Sequence, residues 1–483
     1  MIKLEDFQRK NQFEWELSEN FRKGMRVPVK IFGSQNLLEK ALTDLSVEQA
    51  INVSTLPGLL GSVVVMPDLH QGYGFPIGGV AASSFQDGVI SPGGIGYDIN
   101  CGVRLLATQI PFNLARPYLK ELSIALNQFC PSGLGTSGGM KLTEKEMRKV
   151  CEEGSGWALK NGFADKDDIL KTEDNGCLPG ADFEKISPHA FQRGIPQLGT
   201  LGSGNHFIEV GIVKDVFEDQ IANQLGLESG FLTLMIHCGS RGLGHQVCTD
   251  YVQLFQKAIK KYGIEIPDRE LVCAPISSQE GKDYFAAMRA AANFAFCNRQ
   301  IIAHNAELAF EKVFAKVTKQ WHLFQVYDIS HNIGKIETHV INGKREKVCV
   351  HRKGATRAFG PGAKELPDVY QKIGQPVFVP GSMGTSSWVL AGNLTSMEKS
   401  FGSCCHGAGR VMSRQKAKKS VRGDALIQEL EKIGIHIQAG SLSGLAEESP
   451  SAYKDVDEVV NVVTSVGLAR KIARITPVVV VKG

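Results

Sequence analysis

The stretch GGIGYDINCGVR (93–104) sets a carboxylate, Asp98, and a thiol, Cys101, three residues apart among glycines. A hard oxygen donor and a soft sulfur donor this close, on backbone free to bend, are the beginnings of a metal site. Three histidines share that local context, each next to an apolar segment and to glycine or asparagine. They are His206 in LGSGNHFIEV, His237 in MIHCGSRGLGH and His331 in VYDISHNIG. Taken singly, a histidine at a strand end is more often hydrogen-bonded structure than a ligand, and a buried cysteine is more often inert. Four such loops in one chain offset that reading. A thiolate can bridge two divalent cations while the carboxylate and separate histidines complete each coordination sphere. Two cations side by side suit phosphoryl transfer, because they neutralise both the attacking and the leaving oxygens. Cysteine and histidine donors would also suit Zn²⁺, so ligand type leaves the metal open.

A second constellation lies in CCHGAGRVMSRQKAKKSVRG (404–423). His406 sits among glycines, and neutral imidazole is a good nucleophile toward phosphorus because the phosphoramidate it forms is activated for onward transfer. The Gly-Ala-Gly run offers backbone N–H groups to phosphate oxygens. Arg410, Arg414, Lys416, Lys418, Lys419 and Arg422 follow without one acid among them. Such a run is either a solvated helix face or a phosphate track. The plainer reading of His406 is a loop histidine capping nearby carbonyls. There is no G-x-x-x-x-G-K-[ST] and no Lys-x-Asp-Gly, which argues against a P-loop and against a lysine-nucleophile nucleotidyltransferase.

Short strands must hold these loops. The segments 62–67, 231–237, 323–329 and the terminal ITPVVVVKG read as strands, each close to a glycine cluster. Helical patterns cover 36–50, 144–160 and 281–317, the last alanine-rich and long enough to be a central buried helix. Strand followed by glycine-rich polar loop is the recurring unit, and no linker, tail or repeat interrupts it. The expectation is one α+β domain of mixed α/β character over residues 1–483, with its site built at strand ends. The formal net charge is +4, so nucleic-acid affinity would have to come from a local patch. Eleven cysteines without disulfide spacing fit a reducing compartment. The start MIKLEDFQRK lacks the apolar core of a signal peptide, and no run approaches the roughly 18 apolar residues of a membrane span. The expected location is cytoplasmic, or nuclear if the source has a nucleus, with no membrane partner.

Seven segments in order resemble the RtcB family of GTP-dependent RNA ligases, which act in tRNA splicing and RNA repair. They are 66–79, 91–104, 201–210, 237–245, 327–335, 380–390 and 406–414, and the likeness runs from about residue 20 to Lys482. The resemblance implies a route in three steps. A histidine attacks the α-phosphate of GTP, forming a histidine–GMP phosphoramidate and releasing pyrophosphate. GMP passes to an RNA 3′-phosphate, any 2′,3′-cyclic phosphate having been opened by hydrolysis. The 5′-hydroxyl of a second RNA end, such as a tRNA half, then attacks and expels GMP.

By this likeness His406 is the nucleophile. Cys101 would bridge two Mn²⁺ ions, one completed by His237 and His331, the other by Asp98 and His206. Asn205, Phe207, Glu209, Asn332, Pro380, Ser382, Met383, Ser387, Gly409 and Lys482 would bind GTP, with Tyr453 as a further contact to the base. Glu209 can accept from the guanine N1–H and N2–H₂ edge and Lys482 can donate to O6, which together would select GTP over ATP. His70, Arg193, Arg241 and Arg410 would contact RNA. An archease-type activator is implied for multiple turnover. Other readings stay open from the residues alone: 3′-phosphate guanylylation that stops at a capped end, a binuclear phosphoesterase without a nucleotide, or an RNA-binding scaffold with a structural metal.

Overall fold

The structure, a computed structural model, describes residues 2–133, 140 and 142–483. Two mostly antiparallel sheets dominate it. The seven-stranded sheet runs in the order Gln8–Arg9, Glu14–Leu17, Val29–Phe32, Leu59–His70, Ile77–Ser84, Lys344–Lys353, Asn332–Ile341. One of its pairs, Val29–Phe32 with Leu59–His70, is parallel. The eight-stranded sheet runs Leu323–Ser330, Gly102–Pro111, Phe231–Cys238, Phe207–Val216, Ala469–Lys482, Ser387–Gly392, Pro376–Val379. Its eighth strand, His436–Ala439, pairs in parallel with the last residues of Ala469–Lys482. The mixed α/β class expected from the sequence is what the chain adopts.

The period-2 alternation of strand side chains divides the core into layers. Val103, Leu105 and Ala107 pack with Val64, Met66, Val80 and Ala82 of the other sheet. Leu106 points the opposite way, where it joins Ile208, Val210, Leu234 and Ile236 against Ile302, Ala306 and Phe310. Those last three belong to the 36-residue helix Gln279–Phe314. The Ser278 hydroxyl starts this helix by accepting from the Gly281 amide at 3.1 Å. It is buried almost all round, as a helix apolar on every side must be.

Two helical expectations divide. The 36–50 pattern is two helices, Gln35–Ala41 and Ser46–Val53. The Asp44 carboxylate accepts from the Ser46 amide at 2.7 Å and starts the second one afresh. The 144–160 pattern breaks between Glu144–Glu153 and Ser155–Lys160. Gly154 at the break has φ +56, and a Cβ there would lie 2.1 Å from the Gly176 carbonyl. Among the described residues no helix is long and apolar enough to cross a membrane.

Candidate metal centre and adjoining pocket

Antiparallel order explains why candidate ligands so far apart in sequence meet. Neighbouring antiparallel strands run oppositely, so the start of one lies beside the end of the next. At one end of the larger sheet stand, side by side, the end of Leu323–Ser330, the start of Gly102–Pro111, the end of Phe231–Cys238, the start of Phe207–Val216 and the end of Ala469–Lys482. His331, Cys101, His237, His206 and Lys482 occupy those positions in turn. The register pairs Phe207 with both His237 and Lys482, and Val103 with His237. Strands about 4.8 Å apart therefore deliver four donors and a cation to one place.

Two groups of donors form there, Cys101–His237–His331 and Asp98–Cys101–His206, with the thiol common to both. Cys101 Sγ lies 3.3 Å from His237 Nε2 and 3.5 Å from His206 Nε2. The two Nε2 atoms of His237 and His331 are 3.2 Å apart, and His206 Nε2 is 2.7 Å from Asp98 Oδ2. Ligands on one tetrahedral ion stand about 3.5 Å apart, so the Cys101–His237–His331 spacing fits a cation between them. Burial, then the neighbouring imidazoles, hold His237 and His331 well below the ordinary histidine value, in the neutral form that ligation needs. Burial opposes charge on His206 and Asp98, yet Cys238, Asp98 and Cys101 raise the imidazole while His206 lowers the carboxyl. Burial, then Asp98, pushes the Cys101 thiol up to about 12. A divalent cation inverts that preference, because the thiolate is the ligand.

Outer contacts fix these donors in place. His206 Nδ1 lies 2.9 Å from the Leu201 carbonyl, which turns Nε2 inward. Asp98 Oδ1 accepts from the Ser240 amide at 3.0 Å. Gly239 lets the carboxylate approach, since a Cβ there would stand 2.3 Å from Oδ1. The central helix contributes Arg299, fully buried. It donates to the carbonyls of Asn100 (2.7 Å) and Cys238 (3.0 Å), the residues preceding Cys101 and following His237. Asp328 offsets its charge at 2.7 Å.

A pocket of about 220 Å³ opens beside His237 and His331. His406 lies on its wall, its ring centroid 4.7 Å from that of His331. Asp68, buried at the end of Leu59–His70, accepts from His406 at both the backbone amide (3.1 Å) and Nδ1 (2.6 Å). That bond leaves Nε2 as the basic nitrogen. Gly409 permits the approach of the two segments. Its φ is +75, and a Cβ would be 2.1 Å from the Asp68 carbonyl.

The pocket is also lined by His70, Asn205, Phe207, Glu209, Asn332, Pro380, Ser382, Met383, Gly409, Arg410, Tyr453 and Lys482. Ser387 stands behind them, its hydroxyl donating to Glu209 at 3.0 Å. Burial pushes Glu209 up to about 8 and pulls Lys482 down to about 8. Burial likewise lowers His70 to about 3. The donors of Arg410 are engaged inside the protein, with the Met412 and Glu447 carbonyls, Glu448 and Tyr453. Arg193 and Arg241 are half-buried and lie outside this pocket. In the basic run, Arg414 and Lys418 pair with Glu447, and Arg422 with Asp424.

Three participants escaped the sequence reading. Asp68 was visible only as an acid inside the apolar run SVVVMPDLH. Glu448, which gathers Arg410, Tyr453 and Lys482, and Arg299, on the central helix, carried no local signal.

A family model described as tRNA-splicing ligase RtcB matches residues 49–483. A protein of Archaeoglobus fulgidus named tRNA-splicing ligase RtcB is 51% identical over 471 residues, covering 98% of each chain. One of the same name from Thermococcus kodakarensis is 50% identical over 483 residues, covering both chains completely. RNA-splicing ligase RtcB homolog 1 of Entamoeba histolytica is 45% identical over 481 residues, 97% of this chain and 91% of its own. Two donor groups sharing one cysteine, a histidine–aspartate pair on the adjoining wall and similarity over the full length lead to one statement: this chain belongs to the RtcB family.

Proposed function

We propose that the protein is an RNA ligase that uses GTP to join 3′-phosphate or 2′,3′-cyclic phosphate ends to 5′-hydroxyl ends. The observation that carries this reading is the His406–Asp68 pair on the wall of a pocket that adjoins two donor groups. Asp68 holds the proton on Nδ1, so Nε2 of His406 attacks the α-phosphorus of GTP. The new N–P bond forms as the bond to the bridging oxygen of pyrophosphate breaks. Asp68 also stabilises the positive charge that the imidazole gains. An oxygen of the RNA 3′-phosphate next displaces His406 from GMP, and the 5′-hydroxyl finally displaces GMP from the RNA, giving up its proton. Two Mn²⁺ ions, one held by Cys101, His237 and His331 and the other by Asp98, Cys101 and His206, would supply charge neutralisation at the phosphate oxygens. Glu209 and Lys482, both lining the pocket, would read the guanine edge. Asn205, Asn332, Ser382 and the backbone near Gly409 would hold the remainder of the nucleotide.

Intact-protein mass after incubation with GTP and Mn²⁺ tests the first step. An acid-labile GMP adduct is expected on the wild type and absent from His406→Ala. An adduct surviving in the variant would remove His406 from the role, and no adduct in manganese-loaded wild type would remove the reading. Sealing of a 3′-phosphate RNA to a 5′-hydroxyl RNA then separates ligation from capping, and repeating it with an archease-type activator measures dependence on that partner.

A further inference from the structure

Three ring side chains outside the pocket belong to the same glycine-rich motifs, yet none has a part in the chemistry above. Tyr73 (HQGYG), Tyr97 (GIGYD) and His245 (GLGHQ) stand in file. The ring centroids of Tyr73 and Tyr97 are 5.2 Å apart, edge to face, and those of Tyr97 and His245 are 4.9 Å apart, tilted by 30°. His245 is exposed and both tyrosines are half-buried. Tyr97 immediately precedes Asp98, so the file begins at the Asp98–His206 side of the metal centre. The pocket is lined by His237, His331 and His406 and by none of Tyr73, Tyr97, Asp98 and His245.

Cations flank the file. Arg193 Nη1 is 3.4 Å from His245 Nδ1, whereas Lys353, near the Tyr73 ring, is buried and donates to the Tyr73 and Gly93 carbonyls. Arg241 lies close enough to Asp98 to lower its carboxyl. Rings serving only as core would be fully enclosed, as Tyr284 and Phe255 are. Part-exposed rings beside arginine match the way single strands are held, with bases stacked on π-faces and phosphates met by cations.

Resting on the proposed ligation, the arrangement divides the centre into two approaches. The nucleotide takes the pocket, and the part-exposed ring file beside Asp98 offers an RNA end a place outside it. We infer that Tyr73, Tyr97 and His245 form a stacking platform for the terminal base of an RNA strand whose phosphate reaches the metal centre, with Arg193 beside its backbone. Such a platform accepts any base, because every base has a π-face.

Binding of a labelled single-stranded RNA ending in a 3′-phosphate, followed by fluorescence anisotropy on the full chain, tests this. A matched probe carries an abasic terminal nucleotide. His245→Leu is expected to weaken the intact probe about tenfold, the scale of one base stacked on one ring. His245→Phe should restore it, and wild type and leucine variant should bind the abasic probe alike. Tyr97→Leu and Tyr97→Phe should repeat the pattern. Exposed His245 keeps the test valid should Tyr97→Leu unfold, as thermal midpoints would reveal. Unchanged binding by His245→Leu, or an equal loss on the abasic probe, would make the rings structural and overturn the platform. Sealing by the wild type is scored in parallel. Sealing with ring-independent binding overturns the platform alone, whereas ring-dependent binding without sealing overturns the ligase reading and keeps the platform.

Discussion

At the scale of single residues, the deciding contact is the one between Asp68 and His406. A histidine has two nitrogens, and the bond made by one determines what the other can do. With Nδ1 held 2.6 Å from a buried carboxylate, the lone pair sits on Nε2. Asp68→Asn removes the charge and offers an amide that can donate to Nδ1, which would place the proton on Nε2 instead. The histidine adduct should then form at least about 100-fold more slowly, measured by single-turnover transfer from labelled GTP. Stability should fall by about 1–3 kcal/mol as well, because Oδ2 also accepts from the His406 amide and an NH2 group cannot serve that donor. An adduct rate equal to wild type would show that the tautomer is set elsewhere. His406 could be found in the sequence from its glycine neighbours, but Asp68 stands 338 residues away and nothing local marks it as a partner.

At the scale of elements, strand ends deliver the candidate ligands and buried charges anchor the strand ends. Glu173 is fully enclosed and accepts from the Ser330 amide (2.8 Å) and hydroxyl (2.7 Å), one residue before His331. Lys335 at 2.6 Å and Arg357 at 3.1 Å balance it. Burial alone would raise this carboxyl, but Lys335 and Arg357 bring it down to about 2 from an ordinary 4.5. A carboxyl lowered on folding adds stability above its unfolded value and loses it as the pH falls toward the folded one. Glu173→Gln should therefore cost about 3 kcal/mol at neutral pH, with two cations left short of a partner. That difference from wild type should shrink between pH 4.5 and about pH 2. Denaturant melts at a series of pH values measure it, and a gap independent of pH would refute the assignment.

The strands and the long helix were legible because apolar runs and alanine content are local. The breaks at Asp44 and Gly154 were not. One depends on a side chain capping the next helix, and the other on a close approach to Gly176 from a different part of the chain. Arg299 illustrates the same limit. On the sequence it is a basic residue in a helix, and only packing shows it donating to the carbonyls beside two of the metal-site donors.

At the scale of the whole molecule, the two donor groups are coupled because they share one sulfur. The histidines and Asp98 were each recognisable near glycine or asparagine, yet which of them share a group follows from the strand order of the sheet, a non-local property. Sharing has a consequence that separate sites would lack. Removing His206 leaves Cys101, His237 and His331 intact at one end of the sheet. Removing Cys101 takes a ligand from both groups at once. In manganese-loaded protein, His206→Ala should keep about half the wild-type metal, and Cys101→Ser should keep almost none, read by elemental analysis after desalting. Thermal stability should follow the same order. A ligand that binds only the folded chain adds about 2.7 kcal/mol at a hundred times its dissociation constant, so the manganese-induced rise in Tm should be largest in wild type, smaller in His206→Ala and nearly absent in Cys101→Ser. Were Cys101→Ser to retain as much metal as His206→Ala, the sulfur would serve one ion alone. The structure would then be read as one metal site beside a hydrogen-bonded Asp98–His206 pair.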